Sequence, residues 1–293
     1  MRRFDMYVPA NFEDLLNYLD EHPISNEIHL IANGSDIINR IQRRQLSART
    51  LVDLSGLEEL NYVKKENKTV RVGALTRISD LIQSPIIDSR LEVFREVASK
   101  FGGPAIRNVA TVGGNICAAS SSEDLLPVLL VLDARMRVRS KGNERIISIE
   151  EFLKAKRQTA LKPNEILVET MFDEVDDLSA CAFEKIGMRN SLIIAFVNCA
   201  VYLRVNDERS RIEEARIAFN RLAGKIPARA RRTEEQLKGR TITTSDVARL
   251  ESVVRSELRT SPDFRASAEY RSDVACVLLK RAMGKCIHKL EAH

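Results

Sequence analysis

The chain has 293 residues, of which 44% are hydrophobic and 30% charged, with 46 Lys and Arg against 41 Asp and Glu for a net charge of +5. The length suggests about two or three compact units, and the balance of residues is ordinary for a soluble globular protein. No run in the sequence approaches the roughly 18 consecutive apolar residues that a bilayer span needs. Because the start of the chain also lacks the apolar core of a secretory signal, we expect a cytoplasmic protein with no transmembrane segment.

The five cysteines and four histidines are scattered along the chain. No cysteines have the Cys-x-x-Cys spacing of a metal knuckle, and an iron–sulfur cluster needs clustered thiolates. We therefore predict neither a disulfide framework nor a metal site. The positive excess, locally rich between Arg221 and Arg232, permits nucleic-acid binding. The chain has no tryptophan, so a solvated basic face or a dock for an acidic partner is favoured, with no nucleic acid bound.

Hydrophobic periodicity and turn residues predict the following elements. The first part contains a helix at 11–22, a strand at 29–32, a helix starting near 37 and a strand at 50–54. The second part contains a hairpin at 62–63 and 70–72, a helix at 78–82 capped by Thr76, a helix at 91–101, a turn-rich stretch at 111–122, a helix at 125–132, and strands at 136–139 and 144–149. The third part contains strands at 180–186, 194–203 and 212–219, then helices at 229–237, 244–258 and 268–290.

These elements predict an α+β fold in three parts. Residues 1–56 and 57–175 form two small α/β subdomains, each with strands and helices in alternation. Residues 176–293 form a C-terminal domain with a three-stranded antiparallel sheet and a helical bundle, because its strands come before its helices.

The first glycine segment, Leu30-Ile31-Ala32-Asn33-Gly34-Ser35-Asp36-Ile37, leaves a strand and enters a helix. A helix start offers unpaired N–H groups and the positive end of the helix dipole. Gly34 allows a ligand to approach the backbone, and Ser35 adds a hydroxyl and a capping group. Such a turn suits a pyrophosphate, although an Asn-Gly-Ser turn also simply starts helices.

The second glycine segment is Ala110-Thr111-Val112-Gly113-Gly114-Asn115-Ile116. Its two glycines leave the backbone bare, with Thr111 and Asn115 as polar handles beside them. Successive N–H groups here predict an anion-binding nest, and an ordinary glycine turn is the alternative. The segment is neither a Walker loop nor a Rossmann fingerprint, because Gly-Lys-Thr and Gly-x-Gly-x-x-Gly are absent.

Together the two segments resemble the FAD-binding medium subunits of the xanthine dehydrogenase and carbon monoxide dehydrogenase group. Residues 32–37 match that family's Ala-Gly-Gly-Thr-Asp-Leu loop, and residues 106–116 match its Ile-Arg-Asn-x-Ala-Thr-x-Gly-Gly-Asn-Ile stretch. The likeness covers nearly the whole chain, through Asp124, Glu165-Ile166-Leu167, Phe183-Glu184-Lys185 and Tyr270-Arg271.

The resemblance implies that residues 1–56 and 57–175 bind FAD between them and that residues 176–293 cover the flavin. It implies that Lys185 contacts the flavin's polar edge, that Phe101 packs beside the flavin, and that Asp124 lies on the adenosine side. From the residues alone, the alternatives are a solvated strand lysine, a core phenylalanine and an ordinary helix-start carboxylate. No catalytic residue and no metal ligand is expected. The implied cofactor-binding residues are Leu30, Ile31, Ala32, Asn33, Gly34, Ser35, Asp36, Ile37, Phe101, Ala110, Thr111, Gly113, Gly114, Asn115, Ala118, Asp124, Leu167 and Lys185.

The sequence departs from the family pattern at two positions. Asn33 replaces the first glycine of the family loop, and asparagine tolerates a left-handed backbone better than most residues. Ile193 stands where the family often has an aspartate shortly after an arginine, here Arg189. That polar contact is therefore not expected in this chain.

The resemblance implies an electron-transfer subunit of a molybdenum hydroxylase, an oxidoreductase component that is inactive alone. A large molybdopterin-binding subunit would oxidise the substrate, a small 2Fe–2S subunit would relay electrons, and FAD on this chain would pass them to an external acceptor. The complex would be a dimer of heterotrimers. The alternatives are a self-sufficient flavin-dependent oxidase or dehydrogenase, for which the sequence offers no convincing general base, and a basic nucleic-acid-binding protein.

Overall fold

The computed structural model describes residues 3–187, 195–220, 227–241 and 246–292. The strands in these ranges are β1 Asp5–Tyr7, β2 Ile28–Ile31, β3 Thr50–Asp53, β4 Val63–Glu66, β5 Thr69–Gly73, β6 Arg135–Ser140, β7 Asn143–Ser148, β8 Leu153–Ala155, β9 Gln158–Thr159, β10 Ile166–Asp173, β11 Ser179–Ile186, β12 Val197–Val205, β13 Ile212–Asn220 and β14 Ala228–Arg229. The helices are α1 Phe12–Glu21, α2 Ile37–Gln42, α3 Ile78–Gln83, α4 Val93–Lys100, α5 Pro104–Arg107, α6 Val112–Ala118, α7 Leu125–Val131, α8 Ile149–Phe152, α9 Arg231–Leu237, α10 Asp246–Glu257 and α11 Ala268–Glu291. None of the described helices combines the length and the apolar character needed to cross a membrane.

Segments of the chain alternate between two compact units. Unit 1 comprises Met1–Ile86, Gly103–Ala119 and Ala134–Phe172, and unit 2 comprises Ile87–Gly102, Ser120–Asp133 and Asp173–His293. Helices α4 and α7 thus belong with the C-terminal part of the chain, whereas the sequence-based division at residue 176 places them with the part that precedes it.

Unit 1 begins with a parallel sheet of order β1-β3-β2. Helix α1 starts at the Asn11 cap, whose side chain accepts a hydrogen bond from the Asp14 N–H at 2.9 Å. Its apolar face, Phe12, Leu15, Leu16 and Leu19, is buried in a core with residues of β3 and β10. The helix predicted at 11–22 and the strands predicted at 29–32 and 50–54 are confirmed, whereas β1 was not predicted.

The other large sheet of unit 1 has the order β4-β5-β10-β6-β7. The predicted hairpin and the strands predicted at 136–139 and 144–149 are confirmed. Strand β10 was missed because it is buried on both faces and so shows no alternation of apolar and polar residues. Its one buried charge, Glu169, pairs with Arg71 at 2.5 Å and Arg137 at 3.3 Å and accepts a hydrogen bond from the Tyr62 hydroxyl at 2.6 Å.

Unit 2 contains an antiparallel sheet of order β11-β12-β13-β14. The predicted α+β fold is confirmed, but the prediction of three strands is wrong, because the two-residue β14 adds a fourth. A strand this short depends on pairing with β13 and leaves no periodic pattern in the sequence. Helix α11 packs on β11 and β12, and its N-cap Ser267 accepts a hydrogen bond from the Tyr270 N–H at 3.1 Å.

Thr76 does not cap α3 as predicted. The cap position is Arg77, and the Thr76 hydroxyl instead donates to the Tyr62 carbonyl at 2.8 Å and accepts from the Tyr62 N–H at 3.1 Å. Four predictions fall wholly or partly outside the described residues: the Arg189 and Ile193 departure, the first residue of the strand predicted at 194–203, positions 221–226 of the basic run, and the start of the helix predicted at 244–258.

Candidate functional site

The first glycine segment links the end of β2 to the start of α2 in unit 1. Gly34 has a φ of +79°, which a residue with a side chain adopts only with strain. A Cβ at this position would also lie 2.9 Å from the Cγ1 of Ile38. Asn33 does not have a positive φ, so tolerance of a left-handed backbone is not the reason for asparagine here.

The helix cap in this segment differs from the expectation for Ser35. Helix α2 is preceded by Asp36 at the cap position, and no side chain caps it. Among the described residues, the backbone N–H groups of Gly34, Ser35 and Asp36 donate to no protein acceptor. Three successive donors beside a left-handed glycine have the chemistry of an anion-binding nest. The segment therefore fits a pyrophosphate.

The second glycine segment is a helix start rather than a turn. Thr111 caps α6 by accepting a hydrogen bond from the Gly114 N–H at 3.0 Å. The Val112 N–H donates to the Thr76 carbonyl at 2.9 Å, and the Gly113 N–H donates to the Ala74 carbonyl at 2.7 Å. Because these donors already have protein partners, the predicted nest is not available in this segment.

Position 113 requires glycine because of close packing and not because of its backbone torsion angles. A Cβ at Gly113 would lie 2.7 Å from both the Cβ and the carbonyl oxygen of Ala74. Neither Gly113 nor Gly114 has a positive φ. Substitution of Gly113 by valine is therefore a disturbance of packing in unit 1, and loss of cofactor binding in that variant would not by itself assign a cofactor contact.

Two side chains bring the glycine segments together. The Asn33 side-chain amide donates to the Val109 carbonyl at 2.9 Å, immediately before the second segment. Arg157 donates to the Asp36 carboxylate at 2.8 Å, while its backbone N–H donates to the Ala119 carbonyl at 2.8 Å, directly after α6. Local sequence patterns did not reveal Arg157, because its partner Asp36 lies 121 positions away.

The remaining predicted residues of unit 1 occupy different positions relative to these segments. Ala118 is the last residue of α6, and the following Ala119 has a left-handed backbone with a φ of 42°. Leu167 lies in β10, where it is buried and pairs with Val138 of β6. No described contact connects Leu167 with either glycine segment.

In unit 2 the structure brings together Phe101, Asp124 and Lys185. Lys185 of β11 donates to the Asp124 carboxylate at 2.5 Å and to the Lys100 carbonyl, just before Phe101, at 2.9 Å. The side-chain exposures of Lys185 and Asp124 are 3% and 6%. Asn198 of β12, which the sequence did not single out, donates to the other Asp124 oxygen at 2.9 Å.

This geometry constrains the roles expected for Asp124 and Lys185. Residues in direct contact do not reach opposite ends of an extended dinucleotide, so at most one of the two expected contacts, adenosine side or isoalloxazine edge, fits an extended FAD. The Lys185 charge is also balanced by Asp124 within the same buried pair. Its electrostatic influence on any neighbouring group is that of a pair and not of an isolated cation.

Cys117 lies within α6, beside the proposed cofactor segment. Burial raises the pKa of its thiol to about 12, so the reactive thiolate is scarce at neutral pH. Within the described residues, no group of three or more His, Cys, Asp or Glu side chains is placed to hold a metal ion.

Comparison with protein families gives two matches that together span most of the chain. Residues 2–172 match the family described as "FAD binding domain in molybdopterin dehydrogenase". Residues 182–286 match "CO dehydrogenase flavoprotein C-terminal domain". The boundary between the two matches lies close to the end of β10.

Individual relatives and solved structures agree with these matches. The chain is 27% identical to the xanthine dehydrogenase FAD-binding subunit of Escherichia coli O157:H7, over 95% of this chain and 94% of the relative. It is 26% identical to the nicotinate dehydrogenase FAD-subunit of Eubacterium barkeri, over 99% and 98%. Its fold is similar to a chain of carbon monoxide dehydrogenase from Hydrogenophaga pseudoflava, with a TM-score of 0.91, 25% identity and 98% of each chain covered.

Proposed function

The chain belongs to the family of FAD-binding subunits of molybdopterin dehydrogenases, and we propose that it collects electrons from an iron–sulfur partner and passes them to an external acceptor. It is an oxidoreductase component whose cofactor is FAD. The resemblance predicted from the two glycine segments is thus confirmed.

The first glycine segment carries the proposal for how FAD is held. The N–H groups of Gly34, Ser35 and Asp36 have no protein acceptor and lie beside the exposed Ser35 hydroxyl. We assign the pyrophosphate to these donors, because successive backbone N–H groups complement its charge without a cationic side chain.

The second glycine segment has a different proposed role. Its first N–H groups are already bonded within the protein, so α6 supplies a rigid surface and not the main anion contacts. Thr111 caps this short helix, and Gly113, Gly114, Asn115 and Ala118 lie within it. We propose that they shape the wall against which the cofactor lies.

The proposed partners are a small 2Fe–2S subunit and a large molybdopterin-binding subunit, assembled with this chain as a dimer of heterotrimers. The names of the relatives support a division of labour, since they are FAD-subunits and medium chains of dehydrogenases. FAD supplies the coupling of one-electron and two-electron transfer when bound. The role of this chain is to bind and orient it. Substrate oxidation belongs to the molybdopterin partner.

A comparison of the isolated chain with the assembled complex tests this division. The chain expressed alone and mixed with FAD should retain flavin through gel filtration, seen by visible absorption. It should not reduce an electron acceptor with purines, aldehydes or carbon monoxide as donor. A tagged chain isolated from its host should carry partner subunits containing iron and molybdenum. Substrate turnover by the isolated, metal-free chain would refute the proposal and favour a self-sufficient flavin oxidase or dehydrogenase.

A further inference from the structure

Helix α2 and the loop before it lack the usual means of being held in place. None of the six residues of α2 is buried, and no side chain caps the helix. Its isoleucines, Ile37, Ile38 and Ile41, are only partly buried, and a helix of six residues has little stability of its own. The conformation of the loop at Gly34–Asp36 must therefore depend on contacts made outside α2.

Two such contacts surround the second glycine segment. The Asn33 amide is bonded to the Val109 carbonyl, before α6, and Asp36 is paired with Arg157. Arg157 is itself fixed, because its N–H is bonded to the Ala119 carbonyl, after α6. The first glycine segment is thus attached to both ends of α6.

Arg157 is placed for this contact by a tight hairpin. It has a φ of +64° in the turn between β8 and β9, and β9 packs against α6. Arg157 reaches Asp36 with two guanidinium nitrogens, at 2.8 and 3.4 Å. The pair is about one third exposed on each side, so it adds little to the stability of the fold.

We infer that Asn33 and Arg157 are positioning residues that hold the loop of Gly34–Asp36 in its FAD-binding conformation before the cofactor arrives. The inference rests on the proposed function, which assigns the pyrophosphate to this loop. Preorganisation increases affinity because the cost of ordering the loop is met on folding and not on binding. The asparagine that departs from the family's glycine then contributes a tether that glycine lacks.

The test uses the full-length chain and four single variants: Arg157→Ala, Arg157→Lys, Asn33→Gly and Lys141→Ala. The last is the control, because Lys141 forms a half-exposed ion pair with Asp20 in unit 1, at 3.5 Å. The first readout is hydrogen exchange of the α2 amides in the FAD-free protein, where the Ile38 and Arg40 N–H groups are bonded within the segment. The second is the FAD dissociation constant from flavin fluorescence. Thermal unfolding of each FAD-free variant serves as the third.

Arg157→Ala should speed exchange in α2 and raise the FAD dissociation constant about tenfold, with an unchanged unfolding temperature. Arg157→Lys should bring both the exchange rate and the FAD dissociation constant part of the way back to the wild-type values. Asn33→Gly should weaken FAD binding about threefold. Lys141→Ala should change neither readout.

Unchanged exchange in α2 would overturn the inference, and weaker FAD binding with unchanged exchange would make Arg157 a direct cofactor contact instead. If a lower unfolding temperature accounted for the weaker FAD binding of the variants, Asn33 and Arg157 would have only a structural role. If the wild-type chain bound no FAD, the proposed function would fail, while the exchange data would still decide whether the loop is tethered.

Discussion

Replacing Lys185 with methionine removes a charge from a buried ion pair while keeping most of the side-chain length. The partner carboxylate of Asp124 stays buried, with an exposure of 6%, and retains the Asn198 amide at 2.9 Å. The Lys100 carbonyl also loses its Lys185 donor. The variant therefore removes the cation that is paired with this buried carboxylate.

The expected cost follows from this burial. Breaking one side of a buried ion pair costs about 3–5 kcal/mol, because the remaining charge is uncompensated. We expect a value near the lower end, about 3 kcal/mol, since the Asn198 amide remains bonded to Asp124. That is a large share of a typical domain stability of about 5–15 kcal/mol.

Equilibrium urea unfolding measures this cost. The chain has five tyrosines and no tryptophan, so far-ultraviolet circular dichroism and tyrosine fluorescence, to which Tyr202 and Tyr270 of unit 2 contribute, are the suitable signals. The matched control is the double variant Lys185→Met with Asp124→Asn, which removes both charges. It should be about 1–2 kcal/mol more stable than Lys185→Met alone, because paired residues are energetically coupled.

The same variants test the expected proximity of Lys185 to the flavin. Lys185→Met should lower the flavin reduction potential, by ~30 mV for each ~1.4 kcal/mol of lost stabilisation in a two-electron couple. The double variant should return to the wild-type potential. If Lys185→Met lowered the free energy of unfolding by less than about 1 kcal/mol, the reasoning from burial would be refuted. An unchanged potential in the single variant would place the flavin away from the pair.

Two further predictions concern ionisable groups in unit 1. Burial opposes ionisation of Glu169, but hydrogen bonds from Arg71 and Tyr62 outweigh it, and the pKa of Glu169 lies below its ordinary value of 4.5. Its contribution to stability is therefore present above pH 4.5 and lost as pH falls through the lower pKa of the folded state. The difference in unfolding free energy between wild type and Glu169→Gln should shrink on acidification. A difference that does not depend on pH would contradict this. Burial raises the pKa of the Cys117 thiol to about 12, so Cys117 should react slowly with iodoacetamide in the folded chain and rapidly in urea. Peptide mass mapping follows the labelling, and fast labelling of the folded chain would show an accessible thiolate instead.

Much of the secondary structure could be predicted because it follows local patterns. Helix α1 repeats its apolar residues with helical spacing, and most strands of unit 2 are long apolar runs. Strand β10 was missed because burial on both faces removes the alternation that marks a strand. Helix α6 was missed because its paired glycines suggest a turn, whereas the Thr111 cap and close packing on Ala74 make it a helix.

The candidate site could be predicted only as far as its local motifs extend. The two glycine segments are contiguous and similar to a known family, so the sequence reveals them. The contacts that join them link Asn33 to Val109, 76 positions apart, and Asp36 to Arg157, 121 positions apart. No local pattern encodes such pairs, since each depends on how distant elements fold together. The buried pair of Asp124 and Lys185 is hidden for the same reason.

Because segments of the two units alternate along the sequence, the order in which the chain is synthesised has a consequence for its folding. Helices α4 and α7 leave the ribosome well before β11, β12 and β13, against which they pack. All seven residues of α7 are buried in the folded protein. During synthesis this apolar helix is therefore exposed until the strands that cover it have been made. At translation rates of about 5–20 residues per second, that wait is on the order of ten seconds. A nascent chain in this state is a natural client for ribosome-associated chaperones, and a fragment cut after residue 172 would keep the same apolar surface permanently exposed.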